Sequence, residues 1–168
     1  QPSALQRLRL ARRDVAQRLA GVGLEDRRLI LRRQEAARKV RHAAVRRNVS
    51  ERNFRYGLHF MYSDSSAYEG NRFQHNGSGV AVMYSHVVRM AQNHFLANRG
   101  ATAYGLLLKE IADVTLIGND FSGNTTGLLA DGAARLHASG DRFTRNGRAG
   151  RLPAGAVLLE GHVADLLG

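Results

Sequence analysis

Short apolar runs separated by polar bends follow one another along most of the chain. In residues 57–63 (Gly-Leu-His-Phe-Met-Tyr-Ser), one set of alternate positions is apolar and the other is mixed, which is the period of a half-buried β-strand. The runs are only a few residues long and do not reach the about 10–12 residues that a helix needs. The pattern therefore predicts many short strands here and no long helix.

The polar bends carry a phrase that recurs at a regular spacing. It reads Asn/Asp-x-Phe-x-x-Asn, is followed by a glycine before the next apolar run, and occupies residues 71–76, 93–98, 119–124 and 141–146. The period is 22 residues, except for one step of 26 between residues 93 and 119. A period of about 20–50 residues indicates stacked repeats. Three short strands in each coil of this length predict an all-β parallel β-helix, in the pectin-lyase-like class.

Each repeated residue type has a physical role in such a stack. Asparagine amides can form hydrogen-bonded ladders between coils, and we expect one at Asn71, Asn93, Asn119 and Asp141 and another at Asn76, Asn98, Asn124 and Asn146. We expect the phenylalanines of the phrase to stack inside the coil, namely Phe73, Phe95, Phe121 and Phe143. Glycines open the strands where a side chain would be crowded: Gly57, Gly79, Gly105 and Gly127. The longer step should bulge at a corner, over residues 99–104.

The repeat cannot be followed over the whole chain. Asn48 and Asn53 keep the five-residue spacing of the phrase, with Ser50 in place of phenylalanine. We therefore predict repeats over 48–168, truncated at the C-terminus, and a basic segment over 1–47 that is irregular, partly helical or made of degenerate coils. Leu29-Ile30-Leu31 fits either a decayed strand or part of an amphipathic helix.

Charge and composition exclude several kinds of site. Of the net charge of +11, residues 1–53 supply +10, with 15 Lys/Arg and 5 Asp/Glu. Such a segment could contact phosphates, but it lacks aromatic residues to stack on bases, so we expect no nucleic-acid partner. The chain has no cysteine, which excludes disulfides and thiolate metal sites. It has no apolar run long enough for a membrane-spanning helix.

Stacking of the coils predicts a candidate metal site. Leu58, Phe60 and their equivalents should point inward, so that two rows face outward: His59, Ala81, Leu107 and Leu129, and then Met61, Met83, Lys109 and Asp131. Neighbouring strands lie about 4.8 Å apart, so Met61 and Met83 should be vertical neighbours, with His59 on the same face and His86 just beyond the strand end. Two thioethers and imidazoles form a soft, neutral ligand set that suits Cu(I).

Two other interpretations of this face remain open. The methionines could pack beneath a partner protein, or lie in the core if the alternation is reversed. Lys109 and Asp131 could supply a cation and a carboxylate to a carbohydrate-active enzyme, a polysaccharide lyase or epimerase, as β-helix proteins often are. A lone exposed Lys–Asp pair is more often a weak surface salt bridge, and we assign no catalytic residues.

Three segments resemble the NosD family: Arg-Tyr-Gly-Leu-His-Phe-Met-Tyr-Ser at 55–63, Gly-Ser-Gly-Val-Ala-Val-Met-Tyr-Ser at 77–85, and Tyr-Gly-Leu-Leu-Leu-Lys-Glu-Ile at 104–111. The resemblance extends over roughly residues 48–150. It implies a right-handed, single-stranded parallel β-helix in the periplasm that is not an enzyme. It also implies an accessory role in the maturation of nitrous oxide reductase, delivering copper or sulfur for metal-centre assembly.

The resemblance further implies partners and a cargo. The partners are an ABC-type ATPase and permease complex, a copper-carrying lipoprotein and nitrous oxide reductase itself, with the membrane reached only through the permease. The cargo is transiently bound copper, as Cu(I). The Met/His region of the family maps onto His59, Met61, Met83 and His86.

Overall fold

The computed structural model describes residues 29–30, 40–152 and 157–159, and in these residues all regular structure is β-strand. In chain order the strands are β1 Leu29–Ile30, β2 Val40–Arg41, β3 Ala44–Arg46, β4 Val49–Glu51, β5 Tyr56–Met61, β6 Ser63–Asp64, β7 Ser66–Glu69, β8 Arg72–Gln74, β9 Ser78–Met83, β10 His86–Ala91, β11 His94–Leu96, β12 Tyr104–Ile117, β13 Asp120–Ser122, β14 Thr126–Ser139, β15 Arg142–Thr144, β16 Arg148–Arg151 and β17 Val157–Leu159. None of the described segments is a helix that could cross a membrane.

The strands stack in parallel, each on its equivalent in the next coil. Along one wall, β4, β8, β11, β13 and β15 follow one another in a five-stranded sheet. A second wall carries β5, β9 and the first halves of β12 and β14, whereas β3, β7, β10 and the second halves of β12 and β14 form a third. From β2 to β16, paired residues are 22 or 23 apart, or 26 across the longer step, whereas the pairs at the two ends are 29 apart (Leu29 with Leu58) and 20 apart (His137 with Val157). The chain is therefore a parallel β-helix, and the predicted fold class is confirmed.

The core is the row of inward-facing side chains in each wall. Leu58, Phe60, Val80 and Val82 are all buried, as the alternation predicted. The phenylalanine column is continuous: ring centroids lie 5.6 Å apart from Phe73 to Phe95, 4.7 Å from Phe95 to Phe121 and 4.6 Å from Phe121 to Phe143. The last two pairs are nearly coplanar, at 6° and 4°. The stack fixes the position of each coil over the next.

Both predicted asparagine ladders are present. Asn71 donates to Asn93 Oδ1 from its backbone nitrogen (3.0 Å) and from Nδ2 (2.9 Å), and Asn93 Nδ2 also donates to the carbonyl of Tyr68 (3.0 Å). The same pattern runs from Asn76 through Asn98 to Asn124. Because these amides are buried, their hydrogen bonds remove the cost of burying polar groups at the corners.

Tight packing at the strand starts explains why a glycine recurs after the repeated phrase along this chain. A Cβ on Gly79 would overlap the carbonyl oxygen of Gly105 in the next coil. The longer step leaves residues 99–102 exposed at the corner before β12, whereas Ala103 and Tyr104 turn back and are buried. The extra residues therefore lie outside the coil without interrupting its stacking.

Pairing between coils begins before Asn48. β3 pairs with β7, β2 with β6, and β1 with β5. Leu29–Ile30 is thus a strand, one of the two interpretations of that segment. Residues 1–28 and 31–39, where we expected irregular or helical structure, lie outside the described residues, as do 160–168. The division of the chain at residue 47 and its truncation at the C-terminus stay predictions.

Candidate metal site

The repeated Met-Tyr-Ser phrase forms one corner of the coil twice in succession. Met61 pairs with Met83 in the parallel register of β5 and β9. Both are half-buried and face outward, because Phe60 and Val82, the residues before them, point into the core. The predicted vertical pair of methionines is therefore observed on the outer face.

The two residues after each methionine explain why the phrase recurs. Tyr62 and Tyr84 adopt left-handed backbone conformations (φ 52° at each), and their exposed rings stack with centroids 5.3 Å apart. Ser63 and Ser85 then turn inward and are buried, and the backbone nitrogen of Ser63 donates to Ser85 Oγ at 3.1 Å. The tyrosine turns the chain and the buried serine fixes the corner, so each methionine keeps the same position in its coil.

His59 lies on the same face, one position from Met61 in the outward set. Its Nε2 is buried and has no hydrogen-bond partner in the part of the chain that the structure describes. The ring packs 5.0 Å from that of Tyr56. Burial, and secondarily the charge of Arg55, lowers the pKa of His59. A lowered pKa favours the neutral imidazole, which is the form that binds a metal.

This outer face is less exposed than the alternation suggests. The predicted outward row is present, with His59 paired to Ala81, and Ala81 to Leu107, but Ala81 is 0% and Leu107 8% exposed. Tyr104 (9% exposed) belongs to the same apolar cluster, and Tyr56, Met83 and Leu129 pack against it. Burial raises the pKa of Tyr104. The methionine pair therefore borders an apolar surface. Apart from their positions at strand starts, nothing in the sequence pattern indicated that Tyr56 and Tyr104 would belong to it.

His86 lies apart from the other three residues. It begins β10, past the bend, and its side chain is 59% exposed. Asp64 Oδ1 accepts a hydrogen bond from the His86 backbone nitrogen at 3.2 Å and lies 3.3 Å from Nδ1. His59, Met61 and Met83 thus share one wall, while His86 stands on the next wall. Among the described residues, no three His, Cys, Asp or Glu side chains converge as a metal site would require.

Lys109 and Asp131 also occupy the predicted row, one coil above the other. Lys109 Nζ lies 3.7 Å from Asp131 Oδ2, and both side chains are substantially exposed (41% and 61%). Such a pair is a surface salt bridge of small energetic value. A lyase or epimerase needs an acid and a base that converge on one substrate groove, and this pair alone does not supply them.

Comparison with known families identifies the chain. A family model described as "Periplasmic copper-binding protein (NosD)" matches residues 19–158, well over half of the sequence. Curated proteins and solved structures give no significant match. The match includes both Met-Tyr-Ser phrases and every coil from β1 to β17 except the last residue of β17, and it confirms the resemblance found in the sequence. The chain belongs to the NosD family of periplasmic copper-binding proteins.

Proposed function

We propose that this protein is a non-enzymatic periplasmic accessory protein that holds Cu(I) transiently and delivers it for assembly of the metal centres of nitrous oxide reductase. The observation that carries the proposal is the in-register pairing of Met61 and Met83 on the outer face, beside the His59 imidazole, whose Nε2 has no hydrogen-bond partner among the described residues. The choice of copper as the metal rests on the family match, because the family is described as copper-binding.

The donor set favours Cu(I) over harder cations. Two thioether sulfurs and one neutral imidazole carry no charge, and soft ligands of this kind prefer Cu(I), whereas Ca²⁺ and Mg²⁺ prefer carboxylate oxygens. Few ligands and a position on the outer wall suit a cargo that must leave again. The apolar cluster beside Met83 keeps water and competing oxygen ligands away from one side of the site.

The proposed delivery route involves other proteins. The family resemblance implies an ABC-type ATPase and permease, a copper-carrying lipoprotein and the reductase as partners. Sulfur is the alternative cargo, because the same assembly could supply sulfide to the reductase. A docking surface that binds no metal is the competing function, in which Met61 and Met83 serve only as packing residues.

Cu(I) binding by the purified protein tests the metal site directly. Under anaerobic conditions, competition against a chromophoric Cu(I) chelator gives the affinity of the wild type and of a Met61→Leu/Met83→Leu double variant. We expect the Cu(I) affinity of the double variant to be at least about 10-fold lower, because the thioethers of Met61 and Met83 are the main soft donors of the wild-type site. The matched control is Met90→Leu, which removes the third methionine of the chain from the buried core. Equal affinity in the wild type and the double variant would exclude the methionines from the site.

Maturation of the reductase tests the cellular function. Reductase produced in cells that lack this protein should be deficient in copper, and the Met90→Leu variant should restore the copper content whereas the double variant should not. Full restoration by the double variant supports the docking function. Reductase with normal copper but low sulfide supports sulfur delivery, and fully loaded reductase without the protein contradicts an accessory role.

A further inference from the structure

A carboxylate on the neighbouring coil holds the exposed imidazole of His86. Asp64 ends β6, and its Oδ1 accepts the His86 backbone N–H at 3.2 Å while lying 3.3 Å from Nδ1 of the same residue. The Asp64 backbone carbonyl accepts a hydrogen bond from the His42 backbone N–H (3.0 Å), and the Asp64 side chain is only 19% exposed. One carboxylate on a paired backbone therefore contacts both the backbone and the ring of His86.

This contact selects one tautomer of the imidazole. An ionised carboxylate can only accept hydrogen bonds, so the ring nitrogen that faces Asp64 carries the proton. Nδ1 is then the donor and the lone pair resides on Nε2, on a side chain that is mostly exposed. Histidines that bind metals are commonly oriented in this way by a carboxylate on the opposite nitrogen.

Two other histidines differ from His86 in ways that matter for metal exchange. His94 Nδ1 lies 3.7 Å from Asp120 Oδ2, which is beyond hydrogen-bond distance, and that carboxylate binds Arg142 at 3.0 Å and Ser122 at 2.6 Å. His59 has its Nε2 buried. Only His86 combines, among these three, an orienting carboxylate, an exposed ring and a position three residues after Met83.

We propose that Asp64 is a positioning residue for His86, and that His86 Nε2 is the accessible donor through which Cu(I) enters and leaves the site beside Met83. This inference rests on the proposed function, since it assigns separate tasks within that site. Met61, Met83 and His59 hold the ion on an apolar wall, and His86 exchanges it with an incoming ligand at the adjacent corner. Removal of Asp64 leaves the thioethers intact but frees the His86 ring to rotate and to change tautomer.

The tautomer is measurable without any metal. Long-range ¹H–¹⁵N spectra of the metal-free protein, recorded at a pH where His86 is neutral, should show the Nδ1–H form of His86. Asp64→Ala should shift the ring toward the Nε2–H form, and Asp64→Asn, which keeps an Oδ1 acceptor, should retain the wild-type form. The matched control is Asp120→Ala, which removes the carboxylate near His94. This substitution should leave the NMR signals of His86 unchanged. A His86 ring with Nε2–H in the wild type, or unchanged in Asp64→Ala, would overturn the assignment.

The rate of Cu(I) transfer tests the role in exchange. Stopped-flow mixing of the Cu(I)-loaded protein with a chromophoric chelator should show transfer slowed about 10-fold or more in Asp64→Ala and in His86→Asn, with Asp64→Asn close to the wild type. Circular dichroism confirms that each variant is folded. A wild-type transfer rate in His86→Asn would contradict this inference but not the methionine site. If the Met61→Leu/Met83→Leu double variant instead binds Cu(I) with wild-type affinity, the proposed function itself is contradicted.

Discussion

Both amide groups of Asn119, on the backbone and on the side chain, donate to Oδ1 of Asp141 at 2.7 Å. The equivalent residues in the preceding coils are asparagines. Asn71, Asn93 and Asn119 each also donate from Nδ2 to a carbonyl of the coil before, which for Asn119 is that of Met90 at 3.1 Å. Asp141 has an oxygen in place of that donor. By register, the carbonyl opposite it belongs to Leu116.

The second carboxylate oxygen of Asp141 has no hydrogen bond to any described residue, although it is buried. Burial raises the pKa of this carboxyl above its usual value, against the effect of the bonds from Asn119. The charged groups around this corner are Asp120, Arg142 and His94, and they are paired with one another. A proton on Oδ2 would restore the missing donor toward Leu116, so the ladder accommodates the neutral acid better than the ionised carboxylate.

Asp141→Asn should stabilise the protein at neutral pH by about 1–3 kcal/mol, because the amide supplies the donor and removes a buried charge. The raised pKa means that the wild type keeps its full stability in acid and loses stability as pH rises through the pKa of the folded state. The difference in stability between Asp141→Asn and the wild type should therefore become smaller toward acid pH. Urea unfolding of both proteins across the pH range measures this difference, and a destabilised variant at neutral pH contradicts the assignment of a missing donor at Asp141.

Asp120→Asn should have the opposite pH dependence, although Asp120 is only 21 positions earlier in the chain and lines the same corner. Burial acts to raise the pKa of Asp120, but hydrogen bonds from Ser122 and Arg142 outweigh it and the net shift is downward. Its stabilising effect is present above the unfolded-state pKa and is lost as pH falls through the folded-state value. The same urea series should show a loss below about 1 kcal/mol at neutral pH that disappears in acid.

Gly79→Ala should destabilise the fold by about 3 kcal/mol, the upper range for over-packing. The added Cβ overlaps the Gly105 carbonyl oxygen, which belongs to the stacked backbone and cannot move independently. Gly118→Asn is the matched control. Its φ is +61°, no atom lies within 4 Å of the site of a Cβ, and asparagine tolerates that conformation. Thermal unfolding should show a loss of about 3 kcal/mol for the first and no more than about 1 kcal/mol for the second, because only backbone conformation opposes it.

Phe121→Ala should cost about 3–5 kcal/mol, because the ring is buried between Phe95 and Phe143 and its removal leaves a cavity. Phe54→Ala provides the comparison, since that ring is 85% exposed. Chemical unfolding at fixed pH measures the free energy of unfolding of Phe121→Ala and Phe54→Ala. Equal losses in the two variants would contradict a continuous aromatic column as the source of stability.

The features that the sequence predicted well are those that repeat. The asparagine ladders, the phenylalanine column and the pairing of Met61 with Met83 all follow from one periodicity, because a fixed repeat length fixes which residues become vertical neighbours. The 26-residue step did not disturb this prediction, since the phrase resumes after it.

The features that escaped prediction arise between walls or from single departures in the repeat. The burial of Ala81 and Leu107 depends on the larger side chains around them, which periodicity does not report. The contact of Asp64 with His86 crosses from one coil to the next at a bend, where neither residue belongs to the phrase. β2 and β3 pair with the next coil although they precede Asn48 and lack the repeated asparagine and phenylalanine. Backbone hydrogen bonds and the packing of Ala43 and Val45 against the core hold them there.

The corner at residues 99–102 shows how such a molecule can gain new surface. The chain leaves the coil after Asn98, adds exposed residues and returns at β12, yet Asn98 and Asn124 remain hydrogen-bonded partners at 3.0 Å. Loops of other lengths grafted at this point should therefore leave the scaffold unaffected. One bend can be lengthened, and the outer surface enlarged, without any rearrangement of the stacked coils.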